Sequence, residues 1–344
     1  MSERTGPLPR ALAPLTYLAA RAYRVGCRMD VQRQLRGGAA RLGVPVLSVG
    51  NLTVGGTGKT PVCSHLARAL QEAGFRPAIA MRGYKADQTA GSDEAAEYRL
   101  RHPLLPLLVG ADRTAIARKM LHDDPRSFDV LILDDGFQHR RLHRDLDIVL
   151  VDAMRPGLDG DLLPNGWLRE PPRSIQRADL VVITRAGGSI ERVEDLVMKH
   201  RGRPADAVCR HVWSAIDRHH LGRLDGTFGP GELSGKRVVV CTGLGNPDHL
   251  VQQVEAAGMN ITQHLRFPDH VHYGASQSAS IRAATSGAEA VLTSAKDWVK
   301  LQKCQALVEI DIPFLVPRLE IKFDRGADAI ASGILNASGC SVVL

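Results

Sequence analysis

An eight-residue run, Thr53-Val54-Gly55-Gly56-Thr57-Gly58-Lys59-Thr60, lies between a strand-like apolar stretch over 44–49 and a helical pattern over 61–74. A loop that wraps phosphate must aim successive backbone N–H groups inward, which favours residues free of Cβ clashes. It also needs a lysine for the outer phosphates and a hydroxyl for the Mg²⁺ that accompanies them. Gly55, Gly56 and Gly58 meet the first demand, Lys59 the second and Thr60 the third. Thr53 stands where the usual pattern has glycine. The strand, loop and helix in that order predict a nucleotide-binding α/β domain.

Further strands are expected over 77–81, 128–133, 147–152 and 179–184, separated by helical segments. This alternation predicts a P-loop NTPase-type, doubly wound and mostly parallel sheet, whose ligands gather at the strand carboxyl ends. A chain of 344 residues exceeds the usual size of one hydrophobic core. A second, smaller α/β domain is expected from strands over 236–242, 288–293 and 313–316 and a helix over 248–258. The expected division is an amino-terminal helix in 1–35, the P-loop domain in 36–205, a connector in 206–224 and the second domain in 225–344. His219 and His220 read as solvated connector.

The strand over 128–133 ends on Asp134-Asp135, where P-loop enzymes place the acid of the Mg²⁺ shell. The segment after a later strand, Val182-Ile183-Thr184-Arg185-Ala186-Gly187, lacks the lysine and aspartate of a guanine-reading motif, so ATP is the expected nucleotide. The net charge of +7 suits anionic partners. Aromatic residues make up only 4% of the chain, which argues against a stacking platform for nucleic acid. Six scattered cysteines without a C-x-x-C pair argue against a disulfide framework or a zinc site. No apolar run approaches the ~20 residues of a membrane span. An apolar stretch over 11–20 after Arg4 and Arg10 resembles a secretory signal superficially, but Pro14 and Thr16 interrupt it.

On a helix over 15–29, Leu15, Leu18, Ala22, Val25 and Met29 share one face, with Arg21, Arg24 and Arg28 in a neighbouring stripe. The pattern fits a helix lying in a membrane interface and equally one packed on its own protein. His270 and His272 would share one face of a strand, but no further ligands at metal-binding spacing accompany them.

Longer strings then sharpen the picture. Asn51-Leu52 with the glycine-rich run and Pro61, together with Asp134-Asp135-Gly136-Phe137-Gln138-His139, resembles the tetraacyldisaccharide 4'-kinase family of lipid A synthesis. The likeness continues through Arg82-Gly83-Tyr84, Ser92-Asp93-Glu94, Ala111-Asp112-Arg113, Leu168-Arg169-Glu170-Pro171, Gly243-Leu244-Gly245-Asn246-Pro247, Phe267-Pro268-Asp269-His270 and Thr293-Ser294-Ala295-Lys296-Asp297. Ser92 departs from the glycine common in the family, and Lys85-Ala86 replaces further glycine.

The resemblance implies transfer of the ATP γ-phosphate to the 4'-hydroxyl of an acylated glucosamine disaccharide 1-phosphate, giving lipid IVA. It also implies an active site between two α/β domains, and peripheral attachment through the amino-terminal helix to the cytoplasmic face of the inner membrane. It makes Asp93 and His270 a catalytic dyad drawn from different domains. Arg113 and Arg169 become candidates for neutralising phosphate, or structural ion-pair partners. Gln138 and Glu170 become possible companions of Thr60, Asp134 and Asp135 around Mg²⁺. Rival readings are a P-loop ATPase or metallochaperone acting on a protein partner, and a non-enzymatic membrane-surface module. The first lacks a cluster of metal ligands, and the second leaves Lys59, Asp135, Asp93 and His270 without purpose.

Overall fold

The computed structural model describes residues 13–83, 93–269, 271–304 and 310–344. They form two compact units, the first from Met1–Arg82, Leu104–Arg210 and Ile321–Leu344, the second from Gly83–Pro103 and His211–Glu320.

The first unit is built on parallel strands β1 (Val46–Asn51), β2 (Pro77–Met81), β3 (Leu107–Val109), β4 (Val130–Asp134), β5 (Leu146–Asp152) and β6 (Leu180–Thr184), followed by the start of β7 (Ala207–His220). Their order across the sheet is β7-β6-β5-β1-β4-β2-β3. Every residue of β1, β2, β4 and β5 is buried, as expected of strands covered on both faces. Because β1 lies between β4 and β5, the loop leaving it emerges at the middle of the strand carboxyl ends. Helices α1 (Ala13–Leu35), α2 (Lys59–Glu72), α4 (Arg113–Asp123), α5 (Glu191–Arg201) and α9 (Ala327–Ser338) belong to this unit. One apolar core joins Phe137, Val149, Val151, Val181, Val193 and Val197, with Ala20 and Tyr23 of α1 packed into it. Another joins Val46, Ala78, Ala80, Leu108, Ala117 and Phe128.

In the second unit, β9 (Arg237–Thr242), β10 (Asn260–Arg266), β11 (Ala290–Thr293) and β12 (Phe314–Arg325) run parallel in the order β10-β9-β11-β12. Its helices are α3 (Asp93–Arg101), α6 (Asp248–Ala256), α7 (Ala275–Ala284) and α8 (Ala295–Leu301). Among the described residues, no helix is long and apolar enough to cross a membrane.

Two expectations change. The segment over 206–224 is not an irregular connector. It is the 14-residue strand β7 followed by an antiparallel partner, β8 (Arg223–Phe228). Its charges hid the strand pattern because they are neutralised by neighbours: Asp217 accepts from Thr227 and Arg318, and Arg218 donates to Asp225. His219 is not simply solvated either, since its ring lies 4.5 Å from that of Trp298. Second, the segment 83–103 between β2 and β3 belongs to the second unit, so Asp93 lies outside the nucleotide-binding unit to which the sequence assigned it.

Glu289, in the turn before β11, accepts from Lys236 at 2.8 Å and from the Arg237 N–H at 3.0 Å. The Lys236 hydrogen bond, then the Arg237 amide, lower its carboxyl from 4.5 to about 2. A depressed carboxyl stabilises the fold above its unfolded pKa and loses that contribution as pH falls through the folded value. Glu289→Gln is therefore expected to lower the unfolding midpoint at pH 7. In thermal unfolding across pH, the gap from the parent should close as pH falls from 4.5 toward 2.

Candidate active site

The site of the first unit begins where β1 ends. Gly58 takes a left-handed φ of 81° and supplies no side-chain cap to α2. The first-turn N–H groups of α2 therefore have no side-chain acceptor at the cap, the arrangement that suits an anion. Gly55 has a φ of 113°, and a Cβ there would meet no atom within 4 Å, so the loop is open on that side. Pro61 sits in the first turn of α2, where a missing N–H costs little. The loop is anchored from outside: Thr184 Oγ1 donates to the Thr57 carbonyl at 3.0 Å, and the Val54 N–H donates to the Trp167 carbonyl at 2.8 Å. The Thr57 hydroxyl is buried and has no hydrogen-bond partner among the described residues. An orphaned donor and uncapped helix amides fit a triphosphate.

Lys59 donates to Asn51 Oδ1 at 3.2 Å and lies 3.4 Å from Asp135 Oδ1. Asp134 closes β4 with regular geometry, whereas Asp135 turns out of the strand with a φ of 55°. A non-glycine residue pays for that conformation, and such strain collects at functional sites. The Arg113 guanidinium, 6% exposed, holds the turn by donating to the carbonyls of Asp134 at 3.0 Å and Asp135 at 3.2 Å. Arg113 thus shapes the acidic loop through its backbone. Arg169 Nη1 donates to Asp135 Oδ2 at 2.6 Å. Burial pushes the Asp135 carboxyl up, but Lys59 and Arg169 outweigh it and hold the group well below the usual carboxylate range. Asp135 is therefore ionised at any working pH.

Arg169 reaches this point because its N–H donates to the Leu52 carbonyl at 2.8 Å, tying its segment to the phosphate loop. Gln138 Nε2 donates to the Asn51 carbonyl at 3.0 Å. Glu170, by contrast, faces Arg140 at 2.7 Å and Arg177 at 2.8 Å. Burial raises its carboxyl, and Arg177 and Arg140 reverse the effect. Among the described residues, no group of three or more His, Cys, Asp or Glu side chains is arranged to hold a metal ion alone. Thr60, Asp134 and Asp135 offer the hard oxygen donors Mg²⁺ prefers, and that ion is commonly held by one or two protein groups plus substrate phosphates.

In the second unit, Asp93 opens α3, and its Oδ2 lies 3.4 Å from Lys300 Nζ. His270 lies outside the described residues. Several contributors escaped sequence reasoning: Asn51 as the acceptor for Lys59, Thr184 as the loop's anchor, and Arg185. Arg185 Nη1 pairs with Asp152 at 2.7 Å, and its Nη2 would lie 3.9 Å from a Cβ at Gly56. Thr184-Arg185 ends a strand next to β5, a position that could have flagged both.

Removing the charge of Glu170 leaves two guanidinium groups facing each other. Glu170→Gln is expected to destabilise the protein by about 3 kcal/mol without nucleotide or metal, measured by thermal unfolding. An unchanged midpoint with a raised Mg²⁺ requirement would instead put Glu170 among the metal ligands.

A family model described as tetraacyldisaccharide-1-P 4'-kinase (LpxK) matches residues 8–336. The tetraacyldisaccharide 4'-kinase of Geobacter sulfurreducens is 36% identical, over 87% of this chain and 87% of its own length. That of Anaeromyxobacter dehalogenans strain 2CP-C is 35% identical, over 96% of this chain and 92% of its own. The crystal structure of the "apo" form of LpxK from Aquifex aeolicus in complex with ATP superposes with a TM-score of 0.66 at 27% identity, covering 95% of this chain and 98% of that one. An uncapped helix behind a glycine loop, with an ionised aspartate against its lysine, thus occurs in a chain that matches these kinases over nearly its whole length, and the chain belongs to the tetraacyldisaccharide 4'-kinase family.

Proposed function

We propose that the protein transfers the γ-phosphate of ATP to the 4'-hydroxyl of tetraacyldisaccharide 1-phosphate, giving lipid IVA in lipid A synthesis. The observation that carries the donor half is the contact of Lys59 with an ionised Asp135 at the uncapped start of α2.

Phosphoryl transfer is chiefly positioning and charge neutralisation. The loop from Thr53 to Thr60 binds the triphosphate through its amides, and Lys59 takes the outer phosphates. Thr60, Asp134 and Asp135 would hold Mg²⁺, with Gln138 close to the same loop through Asn51. The bound ion supplies charge for the phosphate oxygens. Arg169, held on Asp135, adds positive charge beside the donor. Arg113 keeps the Asp134-Asp135 turn in shape. Asp93, with His270, receives the proton of the attacking hydroxyl, which makes that oxygen a better nucleophile as the phosphoryl group transfers.

The acceptor carries acyl chains, and α1 offers a surface for the membrane that holds it. Leu15, Leu18, Val25 and Met29 are each more than half exposed, while Thr16 and Ala20 on the other side are buried. Arg21 and Arg24 flank the exposed stripe. The packed side satisfies the helix's need for a core, so the exposed apolar side is left to a lipid interface. This supports peripheral attachment to the cytoplasmic face of the inner membrane.

In detergent with labelled ATP and tetraacyldisaccharide 1-phosphate, the parent protein is expected to give labelled lipid. Asp93→Ala and His270→Ala should each lose roughly 10²-fold or more in kcat, and near-normal turnover in either would remove it from the mechanism. In vesicle cosedimentation, Leu18→Glu with Val25→Glu should weaken binding at least about tenfold, since each buried aliphatic side chain contributes about 1.5–3 kcal/mol. Unchanged partitioning would detach α1 from the membrane.

A further inference from the structure

Lys300 stands between two carboxylates of the second unit. It lies on α8, which packs against α3, the helix that Asp93 opens. Its ammonium is 3.4 Å from Asp93 Oδ2 and 3.8 Å from Asp297 Oδ1, and donates to the Val271 carbonyl at 3.2 Å. The same nitrogen is 5.6 Å from the centre of the Tyr273 ring, and the side chain is only 15% exposed. A lysine so enclosed has few positions to adopt, unlike one whose ammonium wanders in solvent.

Asp297 explains why the ammonium is directed at Asp93. Asp297 is fully buried, yet both of its oxygens are already served by neutral donors. Oδ2 accepts from the Gly243 N–H at 3.0 Å and the Ser294 hydroxyl at 2.7 Å, and Oδ1 accepts from the Tyr273 hydroxyl at 3.0 Å. Burial, then the adjacent Asp297 charge, push the Tyr273 phenol far above its ordinary range, so it stays protonated and keeps donating. Asp297 therefore attracts Lys300 across 3.8 Å without taking a hydrogen bond from it. It fixes the cation, and the cation stands nearer to Asp93.

We propose that Lys300 is the positioning residue for Asp93: tethered by the Val271 carbonyl and the buried Asp297, its ammonium steadies Asp93 through Oδ2 while that carboxylate receives the acceptor's proton. The inference rests on the role proposed above for Asp93. Lys300 keeps its own proton throughout. The O–H bond of the acceptor breaks, its proton passes to Asp93, and the oxygen bonds to phosphorus as the phosphoryl group leaves ADP. Lys300 touches neither substrate in this scheme and acts only through Asp93.

The test compares Lys300→Gln, Lys300→Met, Lys300→Arg, Asp93→Asn and the Asp93→Asn/Lys300→Gln pair in full-length protein. It uses labelled ATP and tetraacyldisaccharide 1-phosphate in detergent, with thermal midpoints recorded for each variant. Lys300→Gln and Lys300→Met should lower kcat by about 10- to 100-fold while changing KM for either substrate by less than about threefold. Lys300→Arg, which keeps a cation, should recover part of that loss. In the Asp93→Asn background, Lys300→Gln should cost nothing further, because a residue that acts through Asp93 has nothing left to steady. Retained kcat in both neutral variants, or losses that add fully in the pair, overturn the proposal, and so does unfolding of both neutral variants at the assay temperature. Near-normal kcat in Asp93→Asn would instead show that the role of Asp93 itself fails, and the inference about Lys300 falls with it.

Discussion

The contact between Lys59 and Asp135 is the constraint around which the nucleotide-binding unit is arranged. Asp135 leaves β4 with a strained φ, and the strain is held by Arg113 on its backbone and by Lys59 and Arg169 on its carboxylate. Three cations around one turn would repel one another without the acidic side chains among them. The carboxylate in turn would be costly to keep charged in a largely enclosed turn without cations. Each element that supplies a member is then bound to the others: β1 through Asn51, α2 through Lys59, α4 through Arg113, and the segment between β5 and β6 through Arg169.

Backbone packing puts those elements within reach. Gly50, in β1, allows β1 and the acidic loop to approach so closely that a Cβ there would lie 2.5 Å from Phe137 Cβ. Phe137 is wholly buried in the core that also receives α1, and the Arg177 guanidinium lies 4.1 Å above its ring. Arg177 also serves Glu170, next to Arg169. The apolar core and the charged site are thus consecutive layers of one loop.

Much of this was legible because it is local. A glycine-rich loop after a buried strand, and two acids closing another, are patterns that neighbouring residues write by themselves. What sequence reasoning missed is long-range. Asp93 follows β2 in the chain, but the crossover from β2 to β3 carries α3 into the second unit, where α8 receives it. Residues 207–220 looked irregular because charges interrupt their apolar alternation, and those charges are balanced by residues on β8 and β12 that only pairing brings close. Glu170 is a possible companion of Mg²⁺ in the sequence, and only the folded chain brings its carboxylate against Arg140 and Arg177.

Three carboxylates of the first unit are held by arginine rather than lysine. Glu170, Asp152 and Asp147, all nearly buried, are each matched to arginine: Glu170 to Arg140 and Arg177, Asp152 to Arg185, Asp147 to Arg144. A guanidinium is a planar fork of five donors that cannot give up its proton, and it suits a carboxylate that must stay where it is. Asp135 takes one arginine contact and one lysine contact, and Asp93 takes a lysine. An ammonium is a compact point charge whose donors rotate, so it neutralises a carboxylate while engaging it at a single point. In the reaction proposed above, Asp135 turns toward a metal with the nucleotide and Asp93 toward a sugar hydroxyl, and a lysine beside each suits a carboxylate proposed to engage another group.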